Sequence, residues 1–108
     1  MKMISVENVE EFSRLFIPSE RTELSEAVID VIEANLNNTL DVIKDIKVSI
    51  EDARTDIVLS IKRNEFVSIL EEQLKAFEEI EHYEQCSKIV KIIQKIKAGA
   101  IVQSLVTQ

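Results

Sequence analysis

Residues 43–61 read IKDIKVSIEDARTDIVLSI, and their secondary structure determines the fold class of the chain. Apolar residues recur here at three- and four-residue steps, a spacing that is helical and close to a heptad repeat. The stretch also alternates polar and apolar residues on both sides of Glu51–Asp56, which is typical of a β-hairpin. The loop contains no Gly, however, and an isolated two-stranded hairpin is marginally stable. We therefore predict a helix and keep the hairpin over 46–61 as the alternative.

The residues before this stretch extend the predicted helix. Ser19 is a suitable N-cap, and apolar residues from Leu24 to Leu40 continue the helical spacing. Three asparagines between residues 35 and 38 disfavour a helix and mark a bend or a break. A continuous helix over residues 20–61 would be about 60 Å long, too long to bury its apolar stripe against its own chain. The pattern predicts a long or broken central helix with a coiled-coil seam, or an intramolecular core as the alternative.

Shorter helices are predicted on both sides of this central element. Residues 5–16 place Val9 and two phenylalanines on one helical face, and Pro18 ends that helix. Residues 64–99 carry two helical stripes separated by a step at Ile80–His82, which predicts an antiparallel helical hairpin. Gly99 is well placed to terminate the second helix of that hairpin.

The predicted fold is all-α, with a short N-terminal helix, the central helix and the C-terminal antiparallel helical hairpin. Residues 1–108 are expected to form a single helical domain in which 64–99 is the hairpin. Residues 100–108 form an apolar tail that carries no charge. This tail either packs into the core or docks on a neighbouring protein.

The composition excludes several classes of protein. One Gly and one Pro in 108 residues cannot supply the turns of a β-sandwich or the glycine-rich loops of Rossmann and P-loop sites. One Cys and one His cannot form an internal disulfide or fill a four-ligand zinc site. No nucleophile, base and orienting group can be assembled, so we predict no catalytic site, no metal site and no cofactor. No apolar run is long enough to span a membrane.

Three further features have a functional and a structural interpretation. His82 lies among glutamates and could ligate a metal, but an exposed residue in a turn is favoured. Cys86 could be a reactive thiol, but its place in an apolar stripe indicates a small buried side chain. The acidic run between Glu71 and Glu84 lacks the glycine-bearing turn of a calcium site and is read as a solvated helix face.

The charge is unevenly spread along the chain, whose net charge is −7. Residues 64–86 carry seven acids and one base, whereas residues 87–108 carry four lysines and no acid. The candidate basic face consists of Lys88, Lys91, Lys95 and Lys97. Charge complementarity favours pairing of this face with the acidic run. Contact with an anionic membrane surface or with nucleic acid is the alternative.

Residues 70–96 resemble the UVR-type helical hairpin found in nucleotide-excision-repair proteins and in Clp-protease-associated proteins. The matching residues are Leu70 and Leu74 in the first helix, Tyr83-Glu84 and Cys86-Ser87 at the start of the second, and then Ile89, Ile93 and Ile96. The family usually carries an Arg-Asp pair where this chain has Val90-Lys91. The resemblance implies a protein–protein docking module, because hairpins of the family pair with partner hairpins.

Together these features predict a small acidic helical protein-interaction protein: an adaptor, an inhibitor or a regulator that forms a homo-oligomer. The candidate interface comprises Ile43, Ile46, Ile50, Ile57, Ile61, Leu70, Leu74, Phe77, Tyr83, Ile89 and Ile93. One alternative is a structural subunit of a larger assembly, such as a phage virion or scaffold. Another is an accessory protein that binds nucleic acid through Lys88–Lys97. We expect a cytoplasmic protein of a bacterium or phage, located in the host cytoplasm or the virion if phage-encoded.

Overall fold

The computed structural model describes the backbone of residues 1–106 and the side chains of residues 1–99. It divides into two compact units, Met1–Phe66 and Val67–Gln108. The first unit contains β1 (Lys2–Val6), α1 (Val9–Arg14), α2 (Glu23–Ala34), β2 (Val42–Ile50), β3 (Thr55–Lys62) and one turn of 3-10 helix (Arg63–Glu65). The second contains α3, which begins at the boundary (Phe66–Glu79), and α4 (Tyr83–Val106).

The first unit is built on a three-stranded mixed sheet in the order β1-β2-β3. Strand β1 pairs parallel with β2, and β2 pairs antiparallel with β3. Helices α1 and α2 lie in the connection between the two parallel strands, as a parallel pair requires a long crossover. The fold is therefore α+β, and the prediction of an all-α protein is wrong.

The predicted central helix over residues 43–61 is the hairpin of β2 and β3, and a bulge in β2 explains the error. Ile43 faces Ile61 and Ile46 faces Leu59, so two residues of β2 lie opposite the single residue Ser60. This extra residue lets Ile43 and Ile46 share the buried face although they are three apart in sequence. A bulged strand thus reproduces the three-and-four spacing of a helix. The coiled-coil seam predicted for this stretch does not exist.

The hairpin loop needs no glycine because Arg54 adopts the left-handed conformation, with φ of 48°. The amide of Arg54 donates to the carbonyl of Glu51 at 3.1 Å, which closes a turn within a four-residue loop. The hairpin is also not isolated, since β1 supplies a third strand. Of the two sequence arguments against the hairpin, the first therefore fails on the local geometry of the turn and the second on a long-range strand pairing.

The asparagines after α2 end the helix, which confirms the break that they predict. Asn35 is buried, and its side-chain amide donates to the carbonyl of Val31 at 2.7 Å. Asn38 donates to the side-chain oxygen of Asn35 at 2.6 Å. Arg63 then joins the loop to the end of β3, donating to the carbonyls of Leu40 at 2.6 Å and Asn35 at 2.9 Å. These side chains satisfy backbone groups that the helix leaves open.

The N-terminus differs from the predicted helix over residues 5–16. Ser5 lies in β1, and α1 begins only at Val9. Asn8 is the N-cap, and its side-chain oxygen accepts a hydrogen bond from the amide of Glu11 at 2.9 Å. The alternation within β1 is too short to compete with the helical spacing that follows it.

The core of the first unit lies on one face of the sheet and on the apolar face of α2. Its fully buried members include Leu15, Ile29, Ile32, Ile43, Ile46 and Val48. Each such side chain contributes roughly 1.5–3 kcal/mol relative to exposure. The aliphatic composition of the core agrees with the low aromatic content of the sequence.

The second unit consists of two helices joined by a three-residue turn, at the positions that the periodicity predicts. Glu81 has φ of 59°, and its amide donates to the carbonyl of Glu78 at 3.1 Å. The amide of His82 donates to the carbonyl of Phe77 at 2.9 Å, which completes a Schellman motif. The buried residues of the unit include Leu70, Phe77, Cys86, Ile89 and Ile92. Helix α4 continues through Gly99 to Val106, so the predicted termination at Gly99 is wrong.

Candidate functional site

The structure separates the residues predicted to form an interface. Ile43, Ile46, Ile50 and Ile61 are buried in the first unit, where Ile57 is half-buried. Leu70, Phe77, Ile89 and Ile93 are buried in the second unit, where Leu74 is half-buried. Among these residues only Tyr83 is well exposed, at 65%. The apolar stripes are therefore largely buried within the folded chain.

The predicted basic face lies along α4. Lys88 is half-buried, whereas Lys91, Lys95 and Lys97 are exposed and form no ion pair with any residue that the structure describes. The pairing predicted between these three lysines and the acidic run is thus not seen. The side chains of the apolar tail over residues 100–108 lie outside the described part of the chain. Within the described residues, no helix combines the length and the apolar character needed to cross a bilayer.

His82 lies in the turn between α3 and α4, and Cys86 lies in the first turn of α4. His82 is exposed in the turn after α3, and its ring stacks on that of Phe77 with centroids 5.5 Å apart. Burial raises the pKa of the Cys86 thiol, and the charge of Glu78 raises it further, whereas a backbone hydrogen bond lowers it. A thiol in this setting stays protonated and unreactive. No group of three potential metal ligands occurs among the described side chains.

A depression of about 380 Å³ lies at the end of the hairpin, lined by Asp41, Val42, Lys62, Arg63 and Asn64. One of the cations in this depression, Arg63, already forms hydrogen bonds within the fold. The Arg63 guanidinium donates to two carbonyls and to the side chain of Asn38, and it lies 5.0 Å from the centroid of the Phe66 ring. Arg63 therefore has a structural role at this end of the hairpin.

A different surface presents apolar side chains to solvent along α1 and the turn that follows it. We call this surface the aromatic patch and define it as Val9, Phe12, Phe16 and Ile17. Val9 is 60% exposed, Phe16 55% and Ile17 45%. The Phe12 and Phe16 rings are in edge-to-face contact, with centroids 5.3 Å apart. Large apolar side chains grouped in this way on a small acidic protein are typical of a binding surface.

The backbone that carries the aromatic patch is fixed by one buried side chain and by main-chain hydrogen bonds. Leu15 directly precedes Phe16 in the sequence, and its side chain is fully buried. The amides of Leu15, Phe16 and Ile17 each donate to the carbonyl three residues earlier, at 3.0–3.2 Å. The carbonyl of Ile17 in turn accepts from the amides of Glu20 and Arg21, at 2.9 and 3.0 Å. The exposed rings are thus presented by an ordered turn.

Charged side chains flank the aromatic patch and fix the turn to α1. Glu11 bridges two arginines, accepting from Arg14 at 2.8 Å and from Arg21 at 3.4 Å. Arg14 also pairs with Glu10 at 3.0 Å, and Arg21 pairs with Glu23. Both arginines near the patch are therefore neutralised by glutamates. Exposed pairs of this kind add little stability each, but as a network they restrict the turn.

The sequence places Val9, Phe12 and Phe16 on one helical face, yet it does not predict that this face is exposed. An apolar helical face normally turns inward, but here Val9 and Phe16 are exposed and Phe12 is half-buried, while the fully buried residue is Leu15, the C-cap of α1. Ile17, directly before Pro18, gave no signal of its own. The patch holds no group that could transfer a proton or attack a substrate, so its chemistry is that of apolar contact with a charged rim.

Comparison with family models, with curated proteins and with solved structures gives no match to this chain. The resemblance of residues 70–96 to the UVR-type hairpin accordingly stays a prediction.

Proposed function

We propose that this protein is a protein-interaction protein, an adaptor or regulator that binds a second protein through the aromatic patch. The observation that carries the proposal is the exposed Phe16 ring, stacked edge-to-face on Phe12 and presented by a hydrogen-bonded turn. A preordered aromatic side chain loses little conformational entropy on binding. Aromatic residues of this kind are frequent anchors of protein interfaces.

The charge around the patch favours a partner with an apolar pocket and a basic rim. Residues 1–66 carry 14 acidic and 8 basic side chains, so most of the net charge of −7 belongs to this unit. Glu7 and Glu20 flank the patch in sequence and form no ion pair with any described residue. Lysine or arginine side chains of a partner would meet these two carboxylates at the rim.

The test is capture of a partner from a lysate of the source organism by the wild-type protein and by two variants. Phe16→Ser removes the aromatic anchor, and Tyr83→Ser removes an exposed aromatic side chain in the other unit. We expect one protein to be retained by wild type and by Tyr83→Ser but lost with Phe16→Ser. With the purified partner, the Phe16→Ser substitution is expected to weaken binding by roughly 2 kcal/mol or more, about 30-fold.

Thermal unfolding of each variant serves as the control for folding. Phe16 is more than half exposed, so its loss is expected to change the free energy of unfolding by less than about 1 kcal/mol. A partner that binds wild type and Phe16→Ser with equal affinity would show that the aromatic patch is not the binding surface.

A further inference from the structure

One edge of strand β3 is open and lacks most of the features that prevent pairing with another strand. It is eight residues long and pairs only with β2 within the described part of the chain. It contains no Pro and no Gly, the bulge of the hairpin lies in β2, and the five residues Ile57–Ile61 are uncharged. Natural edge strands normally carry charges, Pro or bulges that prevent another strand from pairing with them. In β3 the charges stand only near its two ends, at Asp56 and Lys62, so its central residues are suited to accept a strand.

The sequence of β3 is complementary to itself when it is read in the opposite direction. Residues 56–62 read DIVLSIK, with an acid at one end, a lysine at the other and Leu59 at the centre. In an antiparallel pair centred on Leu59, the opposed residues are Asp56 with Lys62, Ile57 with Ile61, Val58 with Ser60, and Leu59 with Leu59, each taken from different copies. Every pair is either apolar, small or of opposite charge, and such cross-strand pairs stabilise sheets.

The backbone and the two faces of the sheet permit this register. Opposed residues differ by an even number, so the main-chain groups that point away from β2 in one copy meet those of the other. Ile57 and Leu59 are only half-buried on the core face, and a second strand would cover them. On the other face Val58 is 48% exposed and is available to the same strand.

The charged residues at the two ends of β3 are exposed and can pair across the edge. Lys62 is exposed and forms no ion pair with any described residue. The Asp56 side chain is 59% exposed, although it accepts from the Ser49 hydroxyl at 2.7 Å and lies 3.9 Å from the Lys47 ammonium. A carboxylate has lone pairs for a further cationic partner.

We propose that two copies of this chain pair antiparallel through β3, with a two-fold axis at Leu59, to form one sheet that continues across both copies. Such an interface is isologous, as most homodimer interfaces are. It uses no residue of the aromatic patch, so the dimer and the proposed partner binding stand or fall separately.

The first experiment measures mass in solution by light scattering from micromolar to millimolar concentration. Wild type is expected to shift from monomer to dimer. The two-fold axis creates two pairs between residues 56 and 62. Lys62→Asp places two acids opposite each other in both pairs, and Asp56→Lys places two lysines there. Each variant is therefore expected to raise the dissociation constant about tenfold or more. The double variant with both substitutions restores both pairs and is expected to recover the dimer. Lys44→Asp changes the net charge as Lys62→Asp does but lies on β2, so it serves as the matched control.

The second experiment tests the register in a Cys86→Ala background, which removes the only native thiol. Leu59→Cys places two thiols directly opposite each other at the axis, within reach of a disulfide. Oxidised glutathione is expected to convert this variant to a covalent dimer at least about tenfold faster than Ser60→Cys, whose two thiols lie diagonally, about 7–8 Å apart.

Far-UV circular dichroism checks that each variant is folded. If Asp56→Lys loses its fold together with its contacts to β2, Lys62→Asp alone decides the test of charge. A wild-type protein that stays monomeric at millimolar concentration would overturn the proposal. A dimer that Lys62→Asp leaves unchanged, or equal crosslinking of Leu59→Cys and Ser60→Cys, would overturn it as well.

Discussion

At the scale of single residues, the turn between α3 and α4 stores a strain that one substitution relieves. Glu81 has a positive φ, which costs a residue with a Cβ atom about 1 kcal/mol relative to glycine. Glu81→Gly is therefore expected to raise the free energy of unfolding by about 1 kcal/mol, as measured by denaturant titration. The matched control is Glu79→Gly, at a helical position of the same turn, which is expected to lower stability by about 0.5–1 kcal/mol. Equal effects of the two variants would contradict this reading of the turn.

The buried thiol gives a second prediction at this scale. Because burial and Glu78 raise the pKa of Cys86, the folded protein keeps its thiol proton at a pH where the unfolded chain has lost it. The folded state then binds more protons, so the stability from this group is complete below the ordinary thiol pKa and falls as the pH rises above it. We expect the stability difference between wild type and Cys86→Ala to shift against wild type in that alkaline range. Reaction of the native thiol with a disulfide reagent should be slow and become fast in denaturant. Rapid reaction of the native thiol would contradict the burial.

The bulge in β2 leads us to expect that two single-residue deletions in this strand have different effects. Removing Lys44 takes out the extra residue and leaves Ile43 and Ile46 two apart, still on one face of the strand. We expect this deletion to lower the free energy of unfolding by less than about 2 kcal/mol. Removing Ser49 instead places Ile50 on the opposite face from the buried residues before it, and the first unit is expected not to fold. Circular dichroism and thermal unfolding distinguish the two. Equal damage from both deletions would mean that the bulge is essential to the sheet.

The same bulge shows why some elements could be predicted from the sequence and others could not. Helices α3 and α4 carry helical periodicity, and the turn between them lies at Ile80–His82 as the spacing predicts, although α4 continues past Gly99 to Val106. The hairpin could not be recognised because one extra residue converts a period of two into steps of three and four. Its turn gave no signal either, since Arg54 takes the left-handed conformation that glycine usually supplies. The pairing of β1 with β2 is a contact between distant parts of the chain, which local periodicity cannot report.

For the whole molecule, the sequence identifies the apolar segments but not which of them stay at the surface. Protein interaction stays our proposal for this small acidic chain. The apolar stripes that the sequence offers as interfaces are largely buried within the folded chain instead. The aromatic patch and the β3 edge are left at the surface of the first unit, which also carries most of the negative charge. Exposure of this kind follows from tertiary packing and not from the composition of either segment.

This distribution of charge and apolar area predicts separate effects on the association and dissociation rate constants of a complex with a basic partner. Charges at the rim act at a distance and accelerate encounter, whereas desolvated aromatic contacts determine how long the complex lasts. In stopped-flow measurements with the captured partner, the association rate constant is expected to fall steeply as salt is raised. Replacing both Glu7 and Glu20 by Gln should lower the association rate constant and leave the dissociation rate constant almost unchanged. Phe16→Ser should leave the association rate constant almost unchanged and raise the dissociation rate constant. An association rate that does not respond to salt would exclude electrostatic steering and, with it, a partner whose rim is basic.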